Sequence, residues 1–180
     1  MRASDDETGP FIDFETPENG TCVPWELIGD ILLGEQPAEL WPDVKLTAHG
    51  KGIDEWHYFS VPGTFGAVSQ EVVKCIGDFM REYFQFFPST ISDRTFYFLQ
   101  NISSLDCLDR DRSDIVFFPH DASRVMRIKS YRFRAGCIAD PLVFVIPETT
   151  TELFATQGVK RIIERHNLDG FKFLAADTVD

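Results

Sequence analysis

The sequence predicts an α+β fold: a single domain across 1–180 with a mixed or mainly antiparallel sheet, two main helices near 69–81 and 157–166, and a short N-terminal helix. Three observations carry that reading. Two stretches repeat apolar residues at helical spacing: Val72, Val73, Ile76, Phe79 and Met80 in one, Val159, Ile162 and Ile163 in the other. Around them lie short runs of β-branched and aromatic residues ended by Pro or Gly, which is strand composition. A chain of 180 residues sits within the roughly 100–200 residues of one domain and buries about 70% of its unfolded surface, so it needs no disulfide or metal staple.

Residues 1–24 carry Gly9, Pro10, Pro17, Gly20 and Pro24, which predicts an irregular arm, with Phe11, Ile12 and Phe14 as the residues that pin it to the body. Leu27, Ile28, Ile31 and Leu32 then fall at helical spacing, closed by Gly34 and Pro37. Between further breakers, Val44–Ala48 and Trp56–Val61 have strand composition. Ala67-Val68 reads as a short strand and Ser69 as the N-cap of the helix that follows, with Glu71 in the first turn where the dipole favours an acid. Phe84–Phe87 reads as a buried strand ended by Pro88, Ser92-Asp93-Arg94 as a turn, and Phe96–Ile102 as the next strand. The pair forms a hairpin with Phe96 and Phe98 on one face and Tyr97 and Leu99 on the other. Ile115–Phe118 is a short apolar run, and Met126 and Ile128 alternate with Arg127 and Lys129 as in a half-exposed strand. Leu142–Ile146 reads as a central strand and Leu153–Ala155 as another. Thr156 N-caps the last helix, Asn167–Gly170 turns the chain, and Phe171–Ala175 is the last strand.

The cysteines, Cys22, Cys75, Cys107 and Cys137, form no CxxC pair and sit among apolar neighbours, as core thiols do. Met1–Pro10 holds no apolar segment of an export signal, and no apolar run approaches the ~18 residues of a membrane span. The expectation is a reduced, soluble, cytoplasmic protein. The net charge of −12 opposes direct binding of nucleic acid and suits a basic protein partner. More than half of that charge lies in residues 1–30, which hold eight carboxylates and one Arg. One stretch is basic, Arg124 to Arg134, with Tyr131 and Phe133 as potential stacking platforms; its simpler reading is a strand whose exposed face pairs with carboxylates.

Asp106, Asp109, Arg110, Asp111, Arg112 and Asp114 crowd one segment. Four carboxylates in nine residues invite a divalent cation, but the glycine and the D-x-D-x-D spacing of a calcium loop are missing. A solvated turn whose Asp side chains bond backbone N–H groups explains the segment without a ligand. Cys107 in that loop has no histidine placed beside it by sequence, and no GxSxG, HExxH or Gly-rich phosphate loop occurs. No catalytic residue, metal or cofactor is assigned. Asp106, Asp109, Arg110, Asp111 and Asp114 are the candidate partner contacts.

Several segments together resemble a known family. They are Ala67-Val-Ser-Gln with its helix, Phe84-Gln-Phe-Phe-Pro, Phe96–Ile102, Leu105-Asp-Cys-Leu-Asp-Arg-Asp-Arg-Ser, Val143–Glu148, and Leu153-Phe-Ala-Thr-Gln through Asn167-Leu-Asp-Gly-Phe-Lys-Phe. Their order and spacing resemble the immunity proteins of bacterial polymorphic toxin systems, over about 65–175. The resemblance implies a small, non-catalytic α+β protein that binds and neutralises a cognate toxin, often encoded beside it. The toxin would act in the cytoplasm. The arm departs from the pattern, which points to residues 1–40 for partner choice. Two other readings stay open: a metal-dependent hydrolase using the Asp106–Asp114 carboxylates, and a structural or regulatory subunit.

Overall fold

The computed structural model describes residues 11–13, 25–49, 55–59 and 65–179. Strands β5 (Phe84–Ile91) and β6 (Arg94–Asn101) form the central hairpin, and four shorter strands extend it. These are β1 (Phe11–Asp13), β2 (Val44–His49), β3 (Tyr58–Phe59) and β4 (Ala67–Ser69). The six-stranded order is β1-β2-β5-β6-β4-β3, antiparallel throughout except for the parallel β2–β5 pair. The fold is therefore α+β with a mixed, mainly antiparallel sheet. Of the arm expected over 1–24, Phe11–Asp13 pair with β2, which ties the arm to the body at Phe11 and Ile12; the rest lies outside the described residues, as do Phe14, Cys22 and the end of the strand expected over Trp56–Val61.

The hairpin turns on Ser92 and Asp93, both at positive φ (47° and 64°). Two such residues match the twist of the flanking strands, so the loop is only two residues long. Pro88 does not end β5. The bond from Ile102 N to the Tyr83 carbonyl sets the alternation of the ladder, and it leaves Pro88 opposite Tyr97 in a pair that exchanges no backbone bonds. Its missing N–H therefore removes no bond from the β5–β6 ladder, and its carbonyl accepts Trp41 Nε1–H at 2.8 Å.

Each face of the sheet buries one cluster. On one side, helix α1 (Trp25–Leu32) sets Ile28, Ile31 and Leu32 against Phe87, Ile91, Phe96 and Phe98. Buried Gln100 locks this layer by donating Nε2–H to the Ile31 carbonyl at 2.5 Å. On the other side, Phe84 and Leu99 meet helix α2 (Gln70–Ile76) and helix α3 (Gln157–Arg165). As expected, Phe96 and Phe98 share a face, and Tyr97 and Leu99 share the opposite one. Helix α2 is shorter than 69–81, because Gly77–Phe79 tighten into a 3-10 turn.

Past β6 the chain leaves the main sheet and makes three small ones. Strands β7 (Asp114–Phe118) and β8 (Asp121–Ser130) pair only with each other. Strand β10 (Val143–Ile146) pairs with β11 (Thr149–Ala155), and β9 (Arg132–Arg134) runs parallel to β12 (Asp177–Val179). Strand β10 is fully buried yet not central to a sheet: its apolar run is buried by packing on the second cluster. Phe171–Ala175 makes no ladder; Phe171 and Phe173 pack against the core, and Asp177–Val179 forms the last strand instead. Gly170 (φ +94°) passes so near β3 that a Cβ would lie 2.9 Å from the Tyr58 carbonyl oxygen.

Phe98 is fully buried where the hairpin meets α1. Phe98→Ala is expected to cost about 3–5 kcal/mol in urea unfolding; a loss below about 1 kcal/mol would show that this layer is not part of the cooperative core.

Candidate functional site

The acidic loop is wedged between β9 and β10 by backbone bonds. Leu105 N donates to the Val145 carbonyl (2.8 Å), Arg134 N to Cys107 (2.9 Å) and Asp109 N to Arg132 (2.8 Å). Leu108 bridges Phe133, and Leu108 and Cys107 are fully buried. Burial first, then the neighbouring Cys137, pushes the Cys107 thiol up to about 12. A thiol held protonated is a poor nucleophile and a poor metal ligand. Cys75 is half-buried, and Cys137 is exposed rather than in the core; both are free.

The loop carboxylates do not converge. Asp106 Oδ1 lies 3.0 Å from Arg110 Nη1 and 3.4 Å from Arg134 Nη2. Asp109 Oδ1 accepts the Arg112 backbone N–H at 3.1 Å, closing a turn, and Oδ2 lies 3.7 Å from Arg112 Nε. Asp114 opens β7 and faces Lys129 Nζ at 3.6 Å. Asp111 is exposed. Among the described residues no group of three or more His, Cys, Asp or Glu is placed to hold a metal ion.

Arg110 is the member with reach. Besides Asp106 it contacts Glu148, whose side chain is 7% exposed and whose oxygens find no well-directed hydrogen bond. Burial pulls the guanidinium pKa down, but Glu148 and Asp106 outweigh it and hold the charge firmly on. Arg110 and Glu148, with Pro147, form one wall of an open groove of about 480 Å³. Ile115, Phe117, Arg124 and Val125 of the β7–β8 ribbon form the other. The loop, the groove and the ribbon are thus one continuous surface. Sequence order did not show it, because Glu148 lies 38 residues beyond Arg110. Tyr131 and Phe133 are not stacking platforms: Phe133 is buried against Phe144 and Phe154, and Tyr131 packs on Phe133 and bonds Glu152.

Two other polar constellations appear. Ser69 Oγ, buried, lies 2.8 Å from His57 Nδ1 and accepts the Val72 N–H that caps α2 (3.3 Å). Glu71 approaches that same ring nitrogen at 3.8 Å. A nucleophile relay needs the hydroxyl and the acid on opposite nitrogens, so this is a capping cluster. Helix α3 is capped from a distance. Thr156 Oγ1 does not cap its own helix but donates to Asp140 Oδ1 (2.7 Å), and that oxygen accepts Gly158 N–H (2.8 Å). A Cβ on Gly158 would collide with the Asp140 carboxylate. The Thr156 bond, then the Gly158 bond and Arg161, hold the Asp140 pKa down.

Among the described residues no helix is long and apolar enough to cross a membrane. The family model described as Immunity protein family (Imm11) matches residues 84–178. The match begins at β5, so β4 and α2, which the resemblance included, lie outside it. No curated protein matches the chain.

Arg110→Leu strands Glu148 as a buried carboxylate. A loss of roughly 1–3 kcal/mol is expected, below the fully buried case because Arg110 is half-exposed. The double variant Arg110→Leu/Glu148→Leu should recover most of it in urea melts, and an equally unstable double variant would reject the pairing. A second expectation concerns pH. Burial, then Arg94, lowers the His57 pKa, against the opposing pull of Glu71 and Asp169. The unfolded chain therefore takes up this proton first, near pH 6.5. Stability conferred by neutral His57 is present above that pH and is lost as pH falls towards the lowered native value. His57→Gln should flatten the stability slope between about pH 5 and 7; an unchanged slope excludes His57 as its source.

Proposed function

The chain belongs to the Imm11 immunity protein family, and on that premise we propose that it binds and neutralises one cognate toxin domain acting in the cytoplasm. The match over residues 84–178 is the observation that carries this reading. It spans the hairpin, the acidic loop, the ribbon and α3. The mechanism is stoichiometric occlusion rather than turnover: the chain covers the toxin's active site or its substrate path. Such a complex buries on the order of 1,600 Å² in total.

The loop supports a contact role through its stiffness. Asp106, Asp109, Arg110 and Asp114 each hold an internal ion pair, which keeps the loop in one shape and lowers the ordering cost of binding. Asp111 is the carboxylate free to meet a base on the toxin. The net charge of −12 adds a long-range field that draws in a basic partner.

The test is co-expression with the toxin domain encoded beside this chain, followed by calorimetry on the purified pair. Rescue and a one-to-one complex are expected; a folded chain that neither rescues nor binds ends the proposal. Raising salt from about 0.05 to 0.5 M should slow association several-fold while dissociation changes less. Asp111→Lys should weaken binding without altering the melting temperature. Association rates indifferent to salt would remove the electrostatic part of the mechanism.

A further inference from the structure

The β7–β8 ribbon is built unlike the rest of the molecule. Its root is fixed, with Ile115, Ile128 and Tyr131 packed on the core and Tyr131 OH bonded to Glu152 at 2.5 Å. Its far half stands clear. Phe117 and Phe118, between which the register of the ribbon shifts, are 44% and 41% exposed. Met126, also 44% exposed, is the extra residue of a bulge: Val116 pairs with Arg127 and Phe117 with Val125, which leaves Met126 unmatched. Bulges re-aim side chains. Arg124 Cζ lies 5.3 Å from the centre of the Phe118 ring, over its face.

The charge here is opposite to that of the chain. Residues 114–134 hold five bases and two acids in a protein of net −12. Asp114 and Lys129 pair with each other, and Asp121 is occupied by Ser123. The basic, aromatic far half faces outward.

We propose that this ribbon seats in the toxin, with Phe117, Phe118 and Met126 filling an apolar-floored cleft and Arg124 and Arg127 meeting carboxylates on its rim. The proposal rests on the immunity reading and deepens it by stating the partner's chemistry: the cleft that the ribbon enters is acidic. Arg and aromatic side chains are the residues that concentrate binding energy at protein interfaces. A second copy of this chain is a poor occupant, because two copies at −12 repel. Nucleic acid is also a poor occupant, because the net charge of −12 opposes a polyanion. The acidic loop and the basic ribbon flank one groove, so opposite charges side by side allow only one docking orientation.

The experiment measures affinity of the full chain for the inactivated toxin domain encoded beside it. Phe117→Ser/Met126→Ser should weaken binding at least about 30-fold, as loss of a hot spot does. Arg124→Glu/Arg127→Glu, at exposed positions that do not threaten folding, should weaken it by a similar factor. Leu174→Ser, at an exposed position outside both the ribbon and residues 1–40, serves as the control and should bind like the parent. If the parent binds and both folded ribbon variants bind equally well, the ribbon proposal is overturned while the immunity reading stands. A parent that does not bind overturns both. A ribbon-dependent dimer in sedimentation, or ribbon-dependent binding of a mixed-sequence DNA or RNA oligonucleotide, would also overturn it.

Discussion

With Ser92 and Asp93 both in the left-handed region, Ile91 is locked opposite Arg94, and every later pairing of β5 with β6 follows from that register. Alternate residues then face opposite cores. Phe87, Ile91, Phe96 and Phe98 go to α1, while Phe84 and Leu99 go to the helices on the other side. A slip of one residue would exchange the two sets and turn the side chains away from both helix layers. The turn also decides what the outer strands meet, since β2 registers on Ser89–Ile91 and β4 on Phe96–Phe98. Two small residues in an uncommon backbone region thus order the whole sheet.

The sequence displayed what is set within a few residues. The Ser69 cap, the two-faced hairpin and the amphipathic α3 are local patterns. It hid what depends on distant pairing. Thr156 carries the same helix-start signal as Ser69, a hydroxyl followed by Gln, but only Ser69 caps its own helix. Thr156 gives its hydroxyl to Asp140, sixteen residues upstream, and Asp140 does the capping. Pro88 looked like a strand end because a missing N–H usually breaks a ladder; only the phase of the β5–β6 bonds shows that this ladder loses no bond at Pro88. The four carboxylates looked like a site because spacing reveals crowding and not direction. In space each turns to its own partner or to solvent.

The acidic loop is a strut before it is a surface. Its backbone joins β9 to β10, and Arg110 extends that junction to Glu148 on the short turn before β11. An arginine serving two carboxylates keeps two acidic segments together that would otherwise repel. The arrangement ties the root of the β7–β8 ribbon to the core beside it. On the proposed reading, a contact surface built in this way needs little reordering when a partner arrives, which lowers the cost of binding.

Charge is uneven along the chain: residues 1–30 hold eight carboxylates and one Arg, and residues 114–134 hold five bases and two acids. At long range a partner senses the net −12. Within the ~8 Å over which physiological salt screens exposed charges, it meets local groups instead. There the ribbon is positive, while Asp111 of the neighbouring loop is exposed. On the proposed reading, a toxin that suits both is basic overall and carries carboxylates where the ribbon lands. Few surfaces meet both conditions, so partner choice can reside in the family-matched segment itself, in the pairing of one acidic loop with one basic ribbon across a groove of about 480 Å³.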